Sequence, residues 1–358
     1  MKRVGFLTSG GDCQALNATM RGVAKGLYQI YKDEVEIIGF EDGYKGLMYA
    51  NYLMMKQSDF SGVLTKGGTM LGTSRQPFKL MRVPDENGLD KVELMKHTYY
   101  KLKLDALVVL GGNGSQKTAN LLSQEGLNVI GLPKTIDNDL WGTDMTFGFQ
   151  SAVDIATNAI DCIHTTASSH GRVFIVEVMG HKVGWLTLYA GISGGADVIL
   201  IPEIPYNVDR VCEVLQSRKK SGKPFSILAV AEGALSQQEA ALSKKEFKAA
   251  RATMEEPSIS YRLANEIAAR TGQEIRVTIP GHFQRGGAPC AADRLLCTRL
   301  GVAAAELIRE GKFGNMVAVQ NDRIVPVPLK EVAGRLKTVP VDGELVRAAR
   351  ELGLCMGD

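Results

Sequence analysis

Pro133-Lys134-Thr135-Ile136-Asp137-Asn138-Asp139 follows directly on an apolar run, Val129 to Leu132, which reads as a strand running out into a loop. Open α/β sheets bind ligands at the carboxyl ends of their strands, so this loop stands where a site is expected. Its two carboxylates lie two residues apart, with a cation and a hydroxyl just before them. One short loop thus supplies a base, a metal ligand and a phosphate contact. That combination suits phosphoryl transfer.

Outward from this loop, short β-rich apolar runs alternate with helical patterns. Strands are expected over 4–8, 35–40, 106–110, 129–132, 173–179, 198–201, 226–231, 275–279 and 316–320. Between Phe149 and His164, Ala152, Ile155, Ala156, Ala159 and Ile163 recur at helical spacing, while Asp154, Asn158 and Asp161 take the other face. An amphipathic helix follows. Strand–helix alternation implies parallel sheets joined by right-handed crossovers. The stretch 236–256, rich in Ala, Lys and Glu, reads as a solvated helical excursion. Composition marks no domain boundary and no internal repeat, although 358 residues suggest two domains.

A net charge of +3 gives no basis for a nucleic-acid or membrane partner. The six cysteines, Cys13, Cys162, Cys212, Cys290, Cys297 and Cys355, form no Cys-x-x-Cys pair, and most read as small buried apolar residues in a reducing compartment. The apolar run 4–7 is too short for a signal peptide, and no run approaches the ~20 residues of a spanning helix. A cytoplasmic location is expected. Glycine is abundant, 39 residues or about 11% against a usual ~7%. Many of these glycines sit at strand ends, where bare backbone lets anions come close.

Thr8-Ser9-Gly10-Gly11-Asp12 follows the first strand and precedes a helix-compatible stretch, an arrangement that exposes backbone N–H groups beside a positive helix end. Gly111-Gly112-Asn113-Gly114-Ser115 repeats it after the strand at 106–110. This is not the dinucleotide fingerprint, since Lys117 stands where the third glycine belongs, and no Walker A sequence occurs. Gly67-Gly68-Thr69 and Gly72-Thr73-Ser74-Arg75 form a third loop of the same character, with an arginine able to fork onto phosphate. Gly281-His282-Phe283-Gln284-Arg285-Gly286-Gly287 ends another strand and, with Arg276, gathers basic groups that suit a sugar phosphate. Met179-Gly180-His181 and Glu232-Gly233 end two more. Singly, each also fits an ordinary turn, a surface arginine or a structural histidine.

Together, and in this order from Val4 to about Leu300, these motifs resemble the phosphofructokinase family. The resemblance implies an α/β protein of two Rossmann-like, three-layer α/β/α domains with mainly parallel sheets. A phosphoryl-donor domain would comprise 1–148 plus about 284–325, and a fructose-6-phosphate domain about 149–283 plus the C-terminal segment. It implies a 6-phosphofructokinase of glycolysis, moving the γ-phosphoryl of Mg-ATP to the 1-hydroxyl of fructose 6-phosphate. Gly11, Arg75, Gln76, Gly112, Asn113, Gly114, Ser115 and Lys134 match the donor site. Asp137 matches the catalytic base, Thr135 a contact to the transferred group, and Asp139 a carboxylate near Mg²⁺. Met179, Gly180, His181, Glu232, His282 and Arg285 match the sugar-phosphate site, which Thr135 and Asp137 also face. Arg172 and Arg276 match arginines that reach that site from a neighbouring subunit, implying a homodimer or homotetramer. The several turns are then expected to converge on one crevice.

Three departures qualify the match. Asn113 stands where the family usually has an aspartate that helps hold Mg²⁺, leaving Asp139 as the stronger ligand. Gly114 leaves room for a nucleotide and favours ATP, whereas Lys134 resembles the pyrophosphate-using branch. ATP is the expected donor and pyrophosphate the alternative; a non-catalytic sugar-phosphate-binding paralogue is a third reading. Arg21 and Lys25 keep basic character where regulated members bind effectors, but His164 replaces an arginine of that set.

Overall fold

The structure, a computed structural model, describes residues 1–358. Eleven strands form two sheets. They are β1 (Lys2–Ser9), β2 (Val35–Phe40), β3 (Tyr52–Met55), β4 (Ala106–Gly111), β5 (Val129–Pro133), β6 (Val173–Val178), β7 (Val198–Leu200), β8 (Ser226–Ala231), β9 (Ile275–Thr278), β10 (Asn315–Gln320) and β11 (Arg323–Pro328). The chain divides into two compact units, Met1–Ser151 with Arg285–Lys337, and Ala152–Gln284 with Thr338–Asp358.

The first unit holds a seven-stranded sheet in the order β11-β10-β5-β4-β1-β2-β3. Its inner strands are parallel and read as unbroken apolar runs because both faces are covered. In β4 (ALVVLG) every residue is buried. Each Leu, Ile or Val so buried contributes roughly 1.5–3 kcal/mol before chain entropy is counted. Only the edge strands β3 and β11 are antiparallel to their neighbours, and neither is legible as a strand in the sequence. β3 is four residues with Leu53 and Met54 about half exposed. β11 carries Pro326 and Pro328, which an edge tolerates because one side of its backbone has no ladder to supply.

The helix Leu16–Tyr31 packs on the helix Ala291–Arg309 in this unit. Their approach is close enough that a methyl group on Gly301 would stand 2.6 Å from the backbone of Gly22. A side chain at either position would push the helices apart.

The second unit holds a four-stranded parallel sheet, β7-β8-β6-β9. The C-terminal segment runs beside β7, with Ile199 N–H donating to Cys355 O at 2.8 Å and Cys355 N–H to Asp197 O at 3.1 Å. The amphipathic helix expected over 149–164 runs on as Phe149–His170, into a stretch of Thr and Ser. Ser169 bonds back to the Thr165 carbonyl, and Gly171 ends the helix at φ +62°. The excursion over 236–256 forms two short helices, each opened by a serine capping box. All six cysteines are free, and no helix is long and apolar enough to cross a membrane.

Candidate functional site

In the first unit the register of three adjacent strands decides where the motif loops emerge. Ser9 of β1 pairs with Gly111 of β4, and Gly111 pairs in turn with Pro133 of β5. The turn at 10–12, the turn at 112–115 and the loop at 134–139 therefore leave the sheet side by side, at its carboxyl edge. The chain passes from β1 to β2 on one side and reaches β4 on the other, which makes the β1/β4 gap a topological switch point.

The helix Asn113–Gln124 opens with Gly112 as its cap and no side-chain acceptor, leaving first-turn N–H groups for an anion. A methyl group added at Gly114 would meet nothing within 4 Å. Space is open there, as a bulky donor requires. Ser115 Oγ donates to Ser9 Oγ at 2.8 Å, and the Ser115 carbonyl accepts from the buried Tyr44 hydroxyl at 2.7 Å. Gln116, not singled out in the sequence, donates to the carbonyls of Gly111 and Leu132, both at 2.9 Å, and so clamps the ends of β4 and β5 together.

Arg75 is exposed on a loop stitched to the first glycine turn: Gly10 N–H donates to Ser74 O at 3.1 Å, and Thr73 Oγ1 to Gly10 O at 2.7 Å. Gln76 follows it, half-buried. Lys134 is buried and donates to the Gly11 carbonyl; burial, then the nearby Arg285, pulls its pKa down. Arg285 Nη1 donates to Asp12 O at 2.9 Å with its guanidinium against the bare Cα of Gly11, while its Nε is buried without a partner. Two cations thus bear on one glycine turn.

In the carboxylate loop, Thr135 Oγ1 accepts from Asp137 N–H at 3.0 Å, turning the chain tightly. Asn138 adopts φ +52° and is buried between the two acids. Asp139 Oδ1 is buried with no hydrogen-bond partner. Burial, reinforced by Asp137, lifts the Asp139 carboxyl from 3.8 to about 6. Lys337 lies on this loop as well, and burial lowers its pKa to about 8.

Such an orphaned acidic oxygen fits a hard divalent cation. Neither this loop nor any other part of the chain gathers three or more His, Cys, Asp and Glu side chains around one point. Mg²⁺ characteristically takes only one or two carboxylates, with water and substrate phosphates completing its shell. Asn113, the other expected ligand, donates its amide to the Arg335 carbonyl at 2.8 Å. A carboxylate could not make that bond, so the amide nitrogen serves the Arg335 segment, and of the two side chains only Asp139 can offer a cation a negative charge.

In the second unit the motif residues also stand at strand ends. Met179, Gly180 and His181 follow β6, Glu232 follows β8, and His282 comes just after β9. Glu232 Oε1 accepts from Gly180 N–H at 3.2 Å and from His181 N–H at 2.7 Å, holding the turn. Gln284, fully buried, accepts from Met179 N–H at 3.1 Å and donates to Gly281 O at 3.1 Å. His181 and His282 are exposed. Arg172 Nε reaches Glu274 at 2.8 Å, and Arg276 pairs with the same carboxylate. Glu274 therefore aligns both arginines, which in turn hold its pKa down, Arg172 foremost. Gln284 lies inside the 281–287 motif, where the basic residues drew the reading, and Glu274 lies outside every motif, so nothing local marks its role.

Comparison with known proteins agrees along the whole chain. The family model for phosphofructokinase matches residues 3–308. The ATP-dependent 6-phosphofructokinase of Spirochaeta thermophila is 56% identical over 361 residues, covering 99% of this chain and 97% of that protein. The enzyme of the same name from Propionibacterium freudenreichii is 48% identical, with 99% of each covered. Among solved structures, phosphofructokinase of Saccharomyces cerevisiae matches 93% of this chain with a TM-score of 0.78 at 32% identity. This chain spans 45% of that yeast chain.

Proposed function

The chain belongs to the phosphofructokinase family, and we propose that it is an ATP-dependent 6-phosphofructokinase acting in glycolysis in the cytoplasm. It would transfer the γ-phosphoryl group of ATP to the 1-hydroxyl of fructose 6-phosphate, releasing ADP and fructose 1,6-bisphosphate. The observation that carries the chemistry is the unpartnered, buried Asp139 Oδ1 beside Asp137. ATP as donor is supported by the open space at Gly114 and by the relatives' donor.

Asp137 accepts the 1-hydroxyl proton as the sugar oxygen bonds to phosphorus and the bond from phosphorus to the ADP oxygen breaks. An ordinary aspartate, pKa near 3.9, is a weak base toward an alcohol, so the proton moves late and general-base help contributes about 10²–10⁴-fold. The remainder comes from placement and charge. The open N–H groups of the helix Asn113–Gln124 and the exposed Arg75 cradle the donor, while Lys134 braces the Gly10–Gly11 turn. Arg285, with its buried Nε unsatisfied, takes up phosphate charge. Mg²⁺ held by Asp139 would neutralise charge on the phosphate oxygens. Met179, Gly180, His181, Glu232 and His282 hold the sugar phosphate, the second oxygen of Glu232 accepting from a sugar hydroxyl. Arg172 and Arg276 serve a neighbouring copy in a homo-oligomer.

Purified protein given fructose 6-phosphate and Mg²⁺, with ATP or pyrophosphate in separate reactions, tests this directly. Turnover with ATP is expected. Turnover with pyrophosphate alone overturns the donor, and none with either overturns the enzyme.

A further inference from the structure

We propose that Lys337 is a positioning residue for this transfer: its ammonium pins Asn138 and so sets the directions in which Asp137 and Asp139 point. The inference rests on the activity proposed above and assigns part of it to a residue outside every motif. Lys337 Nζ donates to Asn138 Oδ1 at 2.9 Å, to Thr143 O at 2.8 Å and to Asp144 O at 2.9 Å. An ammonium has three N–H groups, and here all three are matched to the loop. None is left for a substrate phosphate, so Lys337 works through the loop rather than by touching the reacting atoms.

Asn138 is where such a pin would act. It is the single residue between the two acids, and its φ of +52° lies in the left-handed region that side chains other than glycine seldom adopt. Asparagine enters this region more readily than most residues because its short amide can bond locally, and here those local bonds fix it. The Asn138 side chain is held from three sides: by Lys337, by Thr146 N–H at 3.1 Å, and through its own amide to Asp144 O at 3.3 Å. Release of φ at Asn138 would rotate Asp137 against Asp139.

The backbone reinforces the side chain. Lys337 N–H donates to Asp139 O at 2.9 Å, and Leu336 forms an antiparallel bridge with Leu140. One residue earlier, the Arg335 carbonyl accepts from Asn113, and the Arg335 guanidinium lies 3.8 Å over the Trp141 ring. Residues 335–337 thus form a short strap fastened to the donor turn at one end and to the carboxylate loop at the other.

Lys337→Met keeps the stem and removes the charge and all three donors. With wild type active, the variant is expected to lose about 10²-fold in kcat, the scale of a 1 Å misplacement of reacting groups. The calorimetric Kd for fructose 6-phosphate and the KM for ATP should stay near wild type. Lys337→Arg should recover part of kcat, and ethylammonium should rescue Lys337→Ala saturably. Wild-type kcat in folded Lys337→Met, or a loss of kcat matched by the fraction unfolded, overturns the proposal. So does a crystal structure of the variant with Asn138 still at positive φ and both carboxylates unmoved. Should Lys337→Met fail to fold, Lys337→Gln is measured by the same criteria. An inactive wild type would instead refute the enzyme assignment.

Discussion

Asp139 carries opposing demands that its environment makes measurable. Burial and Asp137 raise its pKa from 3.8 to about 6 in the metal-free protein. Between those values the folded state binds more protons than the unfolded chain, so stability falls as pH rises. The contribution is present below about pH 4 and lost as pH passes through about 6. Asp139→Asn should therefore stabilise the metal-free protein at pH 7.5, by at most about 3 kcal/mol, and progressively less toward pH 4. Denaturant unfolding in EDTA across that range checks the sign. Added Mg²⁺ should stabilise wild type above pH 6 and leave the variant nearly unchanged.

The helix Asn113–Gln124 offers a test in which stability and activity part company. Gly114 stands in its first turn, where an acidic side chain favours the helix dipole by about 0.3–1 kcal/mol. A Cβ there meets nothing within 4 Å, so Gly114→Asp should fold with an unchanged or higher melting temperature. The same carboxylate would sit at the anion-binding end of the helix and repel the donor. We expect the KM for ATP to rise at least about 10-fold, one step of ~1.4 kcal/mol, while the affinity for fructose 6-phosphate is kept. An unchanged KM for ATP would mean that Gly114 does not face the donor.

For the whole molecule, the consequential expectation is that sites are completed by a second copy. Arg172 and Arg276 are held together by Glu274 at the surface of the second unit. If they serve a neighbour, Asp137→Asn and Arg276→Ala should each be inactive alone. Mixed subunits, dissociated and reassembled, should regain turnover, since one hybrid site combines an intact Asp137 with an intact Arg276. Homo-oligomers lacking any recovery on mixing would place Arg276 in its own subunit's site.

Much of this was readable along the chain because buried parallel strands write their burial as continuous apolar runs, and β2 and β8 begin and end where those runs do. The glycine turns and the carboxylate loop were equally plain, each being a contiguous signal at a strand end. The edge strands β3 and β11 carry weaker signals: the apolar stretch of β3 is only four residues, too short to separate strand from helix or loop, and Pro326 and Pro328 in β11 argue against a strand. Side-chain partnerships were invisible for a different reason. Lys337 lies 199 residues from Asn138, and Arg285 lies 273 from Asp12. Which lysine or arginine meets which carbonyl depends on how the strands order themselves, an outcome of packing that no local pattern encodes.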